Sequence, residues 1–178
     1  MGCGPICAEN APHLDPGSFL FWQDEDGFDP ERRFVFPTIR AHGTAVGDFR
    51  HTGYLDIAFG GFANPELVIY RGGPDGYDPE RVDRIWLDPD IAPYEVTRSI
   101  DRDKARRGVH YNQVRWLLAC DFNGDGWLDL FVSQIAGRHC FILWGGPEGF
   151  STDRMQRLYA DGVGCANAAD LTGNGWPD

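Results

Sequence analysis

Residues 113–130 read QVRWLLACDFNGDGWLDL, and this stretch decides the architecture. A run rich in Val, Leu and Trp leads into an acidic loop with two glycines, and a second apolar run follows at once. Short apolar runs bounded by turn residues are typical of β-strands joined by tight connections. The same order of features recurs before and after this stretch, which predicts a structure built from repeated groups of short strands.

The repeat has a strict period. Asp121 and Asp170 begin equivalent acidic loops, and their spacing defines a 49-residue period. Asp48 begins an earlier loop of the same kind and precedes Asp121 by one period plus a 24-residue insertion. About 50 residues and four strands per unit predict a blade of a β-propeller. The predicted fold class is therefore all-β, an incomplete β-propeller of four-stranded antiparallel blades with about three blades present. Strands are expected at 113–120, 128–134, 140–144 and about 157–160.

The period also predicts the domain organisation. A closed propeller takes about four to eight blades, so the chain is expected to be a piece of a longer protein. In its last unit, the small side chains of 165–169 predict an inner strand, because side chains are crowded near a propeller axis. The predicted parts are an N-terminal extension (1–18) and propeller repeats (19–178), divided into a partial blade (19–41), a blade (42–88), an inserted loop (89–112), a blade (113–160) and a truncated blade (161–178).

The composition excludes several classes of protein. The chain is 42% hydrophobic with 23 glycines and 12 prolines, which favours a core of short strands over long helices. The net charge of −11 argues against a nucleic-acid partner and is consistent with loops that bind divalent cations. No 18-residue apolar run occurs, so no membrane insertion is expected in this segment. No signal peptide is visible, and the five cysteines cannot all pair within the chain.

The loop after 113–120 has the spacing of a calcium site. Oxygen-bearing side chains stand at its positions 1, 3, 5 and 9, and glycine stands at position 6, where the chain must turn sharply. Position 7 can add a backbone carbonyl. The candidate ligands are Asp121, Asn123, Asp125, Trp127 and Asp129. An EF-hand is rejected because its position 12 would be Val132 and a β-rich run follows, whereas an Asx turn without metal stays a second interpretation.

The DxNxDGxxDL loop, the blade-like period and the WGGPEGF turn at 144–150 together resemble FG-GAP/VCBS repeats, the family that includes the integrin α-chain propeller. The resemblance covers about residues 19–178. It implies a propeller with calcium-binding loops on one face, in secreted or cell-surface proteins. It does not imply one ligand, because such propellers serve adhesion receptors, lectins and enzyme accessory domains alike.

The other two loops depart from the best copy. The third loop keeps oxygens at every position with only two carboxylates, which predicts weaker calcium binding. Its candidate ligands are Asp170, Thr172, Asn174, Trp176 and Asp178. The first loop is degenerate, with Asp48, Arg50, Thr52 and Asp56 at positions 1, 3, 5 and 9. No calcium is expected there, and the hypothesis is that the Arg50 guanidinium replaces the ion by pairing with Asp48 and Asp56.

Strand alternation predicts two distinct faces. The three acidic loops should share one face with the turns GGPDG (72–76) and GGPEG (145–149), and the insertion should lie on the opposite face. The insertion is basic, which suggests either a ligand face for an acidic partner such as an anionic glycan or a solvated loop. Its possible ligand residues are Arg98, Arg102, Lys104, Arg106, Arg107 and His110.

No catalytic motif is visible, because none of the five histidines stands in a known nucleophile or metal-protease pattern. The sequence therefore favours a non-catalytic, calcium-binding propeller module for extracellular protein or glycan binding and adhesion, located outside the cell or on its surface. The alternative is the propeller portion of a secreted polysaccharide-active enzyme, a lyase or a hydrolase. The full-length reading frame distinguishes the two, since a joined catalytic domain favours the enzyme.

Overall fold

The computed structural model describes residues 16–38, 41–61, 65–87, 114–134 and 138–178. Within these ranges the structure is all-β, as predicted, with no α-helix and one 3-10 turn at Thr152–Arg154. The strands are β1 (Ser18–Asp24), β2 (Gly27–Phe36), β3 (Ala41–Gly47), β4 (Asp56–Gly61), β5 (Glu66–Gly73), β6 (Gly76–Trp86), β7 (Val114–Cys120), β8 (Asp129–Gln134), β9 (His139–Leu143) and β10 (Met155–Tyr159).

The strands form three antiparallel sheets. β3, β4, β5 and β6 are neighbours in chain order in one four-stranded sheet, and β7 to β10 repeat that order in a second. β1 and β2 form a two-stranded sheet that matches the outer half of a blade. Four-stranded meanders of this kind are the blades of a propeller, so the predicted fold class is confirmed.

Two predicted features lie outside the described residues. These are most of the N-terminal extension, up to residue 15, and the whole inserted loop. The basic cluster from Arg98 to His110 falls within that loop, so the proposed ligand face there stays a prediction.

Irregularities in strand pairing repeat with the predicted period. The register between β1 and β2 shifts at Trp22, and the register between β5 and β6 shifts at Arg71, one period later. The inner strands β3 and β7 have matching shifts at His42 and Arg115, which are separated by one period plus the insertion. These bulges stand at equivalent places in successive units, and they independently support the repeat.

The core lies between consecutive sheets. Leu67, Val114 and Leu130 are fully buried and belong to one cluster that joins the two four-stranded sheets. A second cluster, which contains Phe36 and Tyr70, packs the β1–β2 sheet on the next one. Each sheet therefore buries one face against its neighbour, as blades do around a propeller.

Glycines allow β3 and β4 to approach β7. A Cβ atom built on Gly60 would lie 2.0 Å from Cγ1 of Val114, and one built on Gly43 would lie 3.1 Å from the backbone nitrogen of Leu117. A side chain at Gly60 would overlap the buried valine. Small residues are therefore needed on β3 and β4, because larger side chains would overlap β7.

The prediction of an inner strand at 165–169 is wrong. The structure assigns no strand between 160 and 178, because no described strand forms a ladder with this segment. The acidic loop that follows is still closed, with the Asp178 amide donating to the Ala169 carbonyl oxygen at 2.9 Å. No helix in the described part of the chain is long and apolar enough to cross a membrane.

Candidate metal centre

The three acidic loops share one local conformation. In each, the carboxylate at position 1 accepts hydrogen bonds from the backbone amides at positions 5 and 6, which closes the loop on itself. The donor-to-acceptor distances are 2.8 and 2.7 Å at Asp48, 3.2 and 2.8 Å at Asp121, and 3.0 and 2.8 Å at Asp170. The position-6 glycines have φ values of 81°, 90° and 90°, which a larger residue rarely adopts.

The aspartate at position 9 anchors the first two loops in the protein. Asp56 and Asp129 are both fully buried. Each accepts a hydrogen bond from a glycine amide in the following turn, from Gly72 at 2.9 Å and from Gly145 at 2.8 Å. A Cβ at these glycines would lie 2.2 and 2.3 Å, respectively, from a backbone carbonyl oxygen of the loop. The GGPDG and GGPEG turns therefore support the acidic loops on the predicted common face.

The Arg50 side chain binds the buried aspartate of the first loop. Its Nε donates to Asp56 Oδ2 at 3.0 Å and its Nη2 to Asp56 Oδ1 at 2.7 Å, and Nη2 also donates to the Gly72 carbonyl oxygen at 3.1 Å. The bond to Asp56 raises the pKa of the guanidinium further above its usual range. The hypothesised pairing with Asp56 is present. No Arg50 hydrogen bond or ion pair to Asp48 is found among the described residues, because the Asp48 oxygens accept the loop amides instead.

Asp129 has the same burial as Asp56, but none of the described residues brings a cation to it. Its oxygens accept hydrogen bonds from the amides of Gly145 and Phe122 at 2.8 Å each. Within the ranges that the structure describes, no basic side chain pairs with it. Burial raises the pKa of Asp129, and the charges of Asp125 and Asp121 raise it further, against these two hydrogen bonds. In the described structure the buried Asp129 carboxylate therefore has no countercharge, and two other carboxylates of the same loop repel it.

The side chains of the second loop fit calcium by their chemistry. They offer carboxylate, amide and carbonyl oxygens without sulfur or ring nitrogen, which is the donor set of a hard cation. Asp121 and Asp125 accept hydrogen bonds from the loop amides, and Asp125 also accepts from the Asn123 side-chain amide at 3.0 Å. Over the described ranges, no three His, Cys, Asp or Glu side chains are gathered closely enough to hold a metal ion.

The third loop is more exposed than the other two. Asp178 accepts hydrogen bonds from the amides of Leu171 and Thr172 at 2.9 and 3.1 Å, and in the second loop Asp129 likewise accepts from the position-2 amide of Phe122. Leu171 is 81% exposed and Trp176 is 53% exposed, so this loop lacks the surrounding protein that buries Asp129. The hydrogen bond from the Gly175 amide leads the causes that lower the pKa of Asp170.

Sequence reasoning missed two features of this face. One is a cleft of about 510 Å³ between the first loop and the turn at 147–150, with the ion pair of Arg71 and Asp83 in its wall. The other is a contact between neighbouring loops, in which the rings of His51 and Trp127 stack. The second had a signal in the sequence, since His51 stands where the other two loops have glycine. The first had none, because it depends on how two blades pack.

A comparison with known protein families supports the repeat. The sequence model of the FG-GAP-like repeat matches residues 121–178, beginning at the first aspartate of the second loop. No curated protein and no solved structure shows a significant match to the chain. The matched segment contains the second and third loops and the strands from β8 to β10. Residues 121–178 are therefore similar in sequence to the FG-GAP-like repeat.

Proposed function

We propose that this chain is a calcium-stabilised, non-catalytic binding module built from β-propeller repeats. The observation that carries the proposal is the contrast between two buried aspartates at the same loop position. Asp56 pairs with Arg50, whereas Asp129 has two acidic neighbours and no basic partner in the described structure. A buried carboxylate without a countercharge is costly, and a bound cation removes that cost.

The second loop supplies the main site of this proposal. Asp121, Asn123, Asp125 and Asp129 would bind the ion through their side chains, and Trp127 through its backbone carbonyl. Calcium would supply the positive charge that Arg50 supplies in the first loop. The third loop offers a weaker site through Asp170, Thr172, Asn174, Trp176 and Asp178, because two carboxylates attract the ion less than three.

A need for calcium favours a location outside the cell or on its surface, where calcium is abundant. Calcium-binding modules of extracellular proteins have dissociation constants of about 10⁻⁴–10⁻³ M, because calcium is abundant there. In the second loop the Asp121 carboxylate already accepts two backbone amides, so calcium would compete with these hydrogen bonds. Weak binding in that range is consistent with such competition. We propose an extracellular role in adhesion, with a protein or a glycan as the partner.

The cleft beside the first loop is our candidate for the place where a glycan binds. Its wall carries arginines that are already paired with carboxylates, Arg50 with Asp56 and Arg71 with Asp83. Its lining also includes the partly buried side chains of Ile85 and Phe150. Fixed donors and acceptors beside a few apolar side chains suit a hydroxyl-rich ligand better than a polyanion.

Thermal unfolding with and without calcium tests the function. We expect calcium chloride to raise the melting temperature above its value in EDTA, since the ion binds only the folded state. Asp125→Ala should remove most of that rise, because it removes a ligand and lowers the loop charge. Asp48→Ala is the matched control, and it should keep the rise even if it lowers stability. Loss of the calcium response in Asp48→Ala alone, with Asp125→Ala unaffected, would refute the assignment.

A further inference from the structure

The three acidic loops contact one another in a regular way. His51, at position 4 of the first loop, stacks on Trp127, at position 7 of the second. The ring centroids are 3.9 Å apart and the ring planes differ by 5°, which is close parallel stacking. This contact joins residues of two different blades.

The same two positions meet again between the second and third loops. A Cβ atom built on Gly124, at position 4, would lie 3.1 Å from Cζ3 and 3.4 Å from Cη2 of Trp176, at position 7 of the third loop. The Trp176 indole therefore lies directly over the Gly124 backbone. Because position 4 of each loop contacts position 7 of the next, the three loops form a connected row on one face.

His51 adopts a backbone conformation that favours glycine. Its φ is 52°, and it is the only described residue other than glycine with a positive φ. The equivalent residues of the other loops are Gly124 and Gly173, with φ values of 69° and 72°. An L-residue is less stable in this left-handed conformation than in a right-handed one. Histidine adopts this conformation less readily than glycine does, but it provides the ring that stacks on Trp127.

We propose that His51 is a positioning residue for the calcium site of the second loop. By holding the Trp127 ring, it restricts the backbone of residue 127, whose carbonyl is a proposed ligand, before calcium binds. The first loop needs no metal for this role, because Arg50 and Asp56 already fix it in place. This inference rests on the proposed calcium function.

Calcium titration of His51→Gly tests the proposal. Glycine is the residue that the other loops use here and it readily adopts the positive φ of this position. Relief of the left-handed histidine backbone should offset the lost stack, so the variant should fold with about wild-type stability in EDTA. Loss of one aromatic stack, at about 0.5–1.5 kcal/mol, should weaken calcium binding to the second loop about two- to tenfold. His51→Phe keeps a ring and should restore most of the affinity. Tyr54→Ala removes an exposed ring from the same loop and should leave the affinity unchanged.

A second measurement follows the stack itself without calcium. The indole N–H resonance of Trp127, assigned with Trp127→Phe, should shift in EDTA when His51 is replaced by glycine. If that resonance shifts and the calcium affinity stays at the wild-type value, the stack is packing alone and the positioning role is refuted. If the wild-type protein binds no calcium at the second loop, the proposed function fails first, and this inference fails with it.

Discussion

One residue at position 3 decides how each acidic loop balances its charge. In the first loop that residue is Arg50, which brings a guanidinium onto the buried Asp56 carboxylate. In the second loop it is Asn123, which is neutral and leaves Asp129 without a basic partner in the described structure. The two loops share the hydrogen bonds from the amides at positions 5 and 6 and from the glycine amide of the following turn. A single substitution at this position should therefore change a loop that needs no metal into one that responds to it.

Arg50→Asn should make the stability of the first blade dependent on calcium. Without the guanidinium, Asp56 is a buried charge that keeps only the hydrogen bond from the Gly72 amide, and the free energy of unfolding in EDTA should fall by about 3 kcal/mol. Millimolar calcium should recover part of that loss, since the loop then has oxygens at positions 1, 3, 5 and 9. Urea denaturation in EDTA and in calcium measures both effects.

Arg71→Asn is the control for this experiment. Arg71 forms a half-exposed ion pair with Asp83 in the same region, and such pairs contribute about 0–1 kcal/mol. Its loss should be small and unaffected by calcium. Equal losses in the two variants, or no calcium recovery in Arg50→Asn, would show that Arg50 does not replace an ion.

At the scale of elements, the strands were predictable and their exceptions were not. The predicted strands of the second blade agree with β7 to β10 within about two residues, because apolar runs and glycine turns mark their ends. The strand at 165–169 was predicted wrongly, since its small residues indicate an inner position but a strand also needs a partner. His51 stands out in the sequence because the other two loops have glycine at its position. Its stacking partner Trp127 is far away in the sequence, and local patterns do not specify which ring it contacts.

Gly60→Ala should destabilise the contact between the two blades. The new methyl would overlap the buried side chain of Val114, and overpacking of this kind costs about 1–3 kcal/mol. Gly164→Ala is the matched control, because a Cβ there has no neighbour within 4 Å. The free energy of unfolding of each variant, from urea denaturation, measures the difference.

The double variant Gly60→Ala/Val114→Ala identifies the cause. Val114→Ala alone removes two buried methyl groups and should destabilise the core, but it also makes room for the new methyl. The double variant should therefore lose less stability than the sum of the single variants. Strict additivity would show that Gly60 and Val114 do not restrict each other, contrary to the close approach of β4 and β7.

At the scale of the whole molecule, the repeat places equal loops side by side on one face. The 49-residue period was visible in the sequence and is repeated in the sheet order and in the bulges at Trp22 and Arg71. The spacing of acidic residues likewise predicted three loops of one kind, and each loop closes through hydrogen bonds to the carboxylate at its position 1. The balance of charge within each loop could not be predicted from the sequence. It depends on how deeply the position-9 aspartate is buried, and the packing of the blades determines that burial.

A crystal structure of the protein grown with millimolar calcium tests the central claim most directly. The account predicts one well-ordered ion in the second loop, about 2.3–2.6 Å from oxygens of Asp121, Asn123, Asp125, Trp127 and Asp129. It predicts weaker density in the third loop and none in the first, where the Arg50 guanidinium stays paired with Asp56. An empty second loop at saturating calcium, or an ion bound in the first loop of the wild-type protein, would contradict the account.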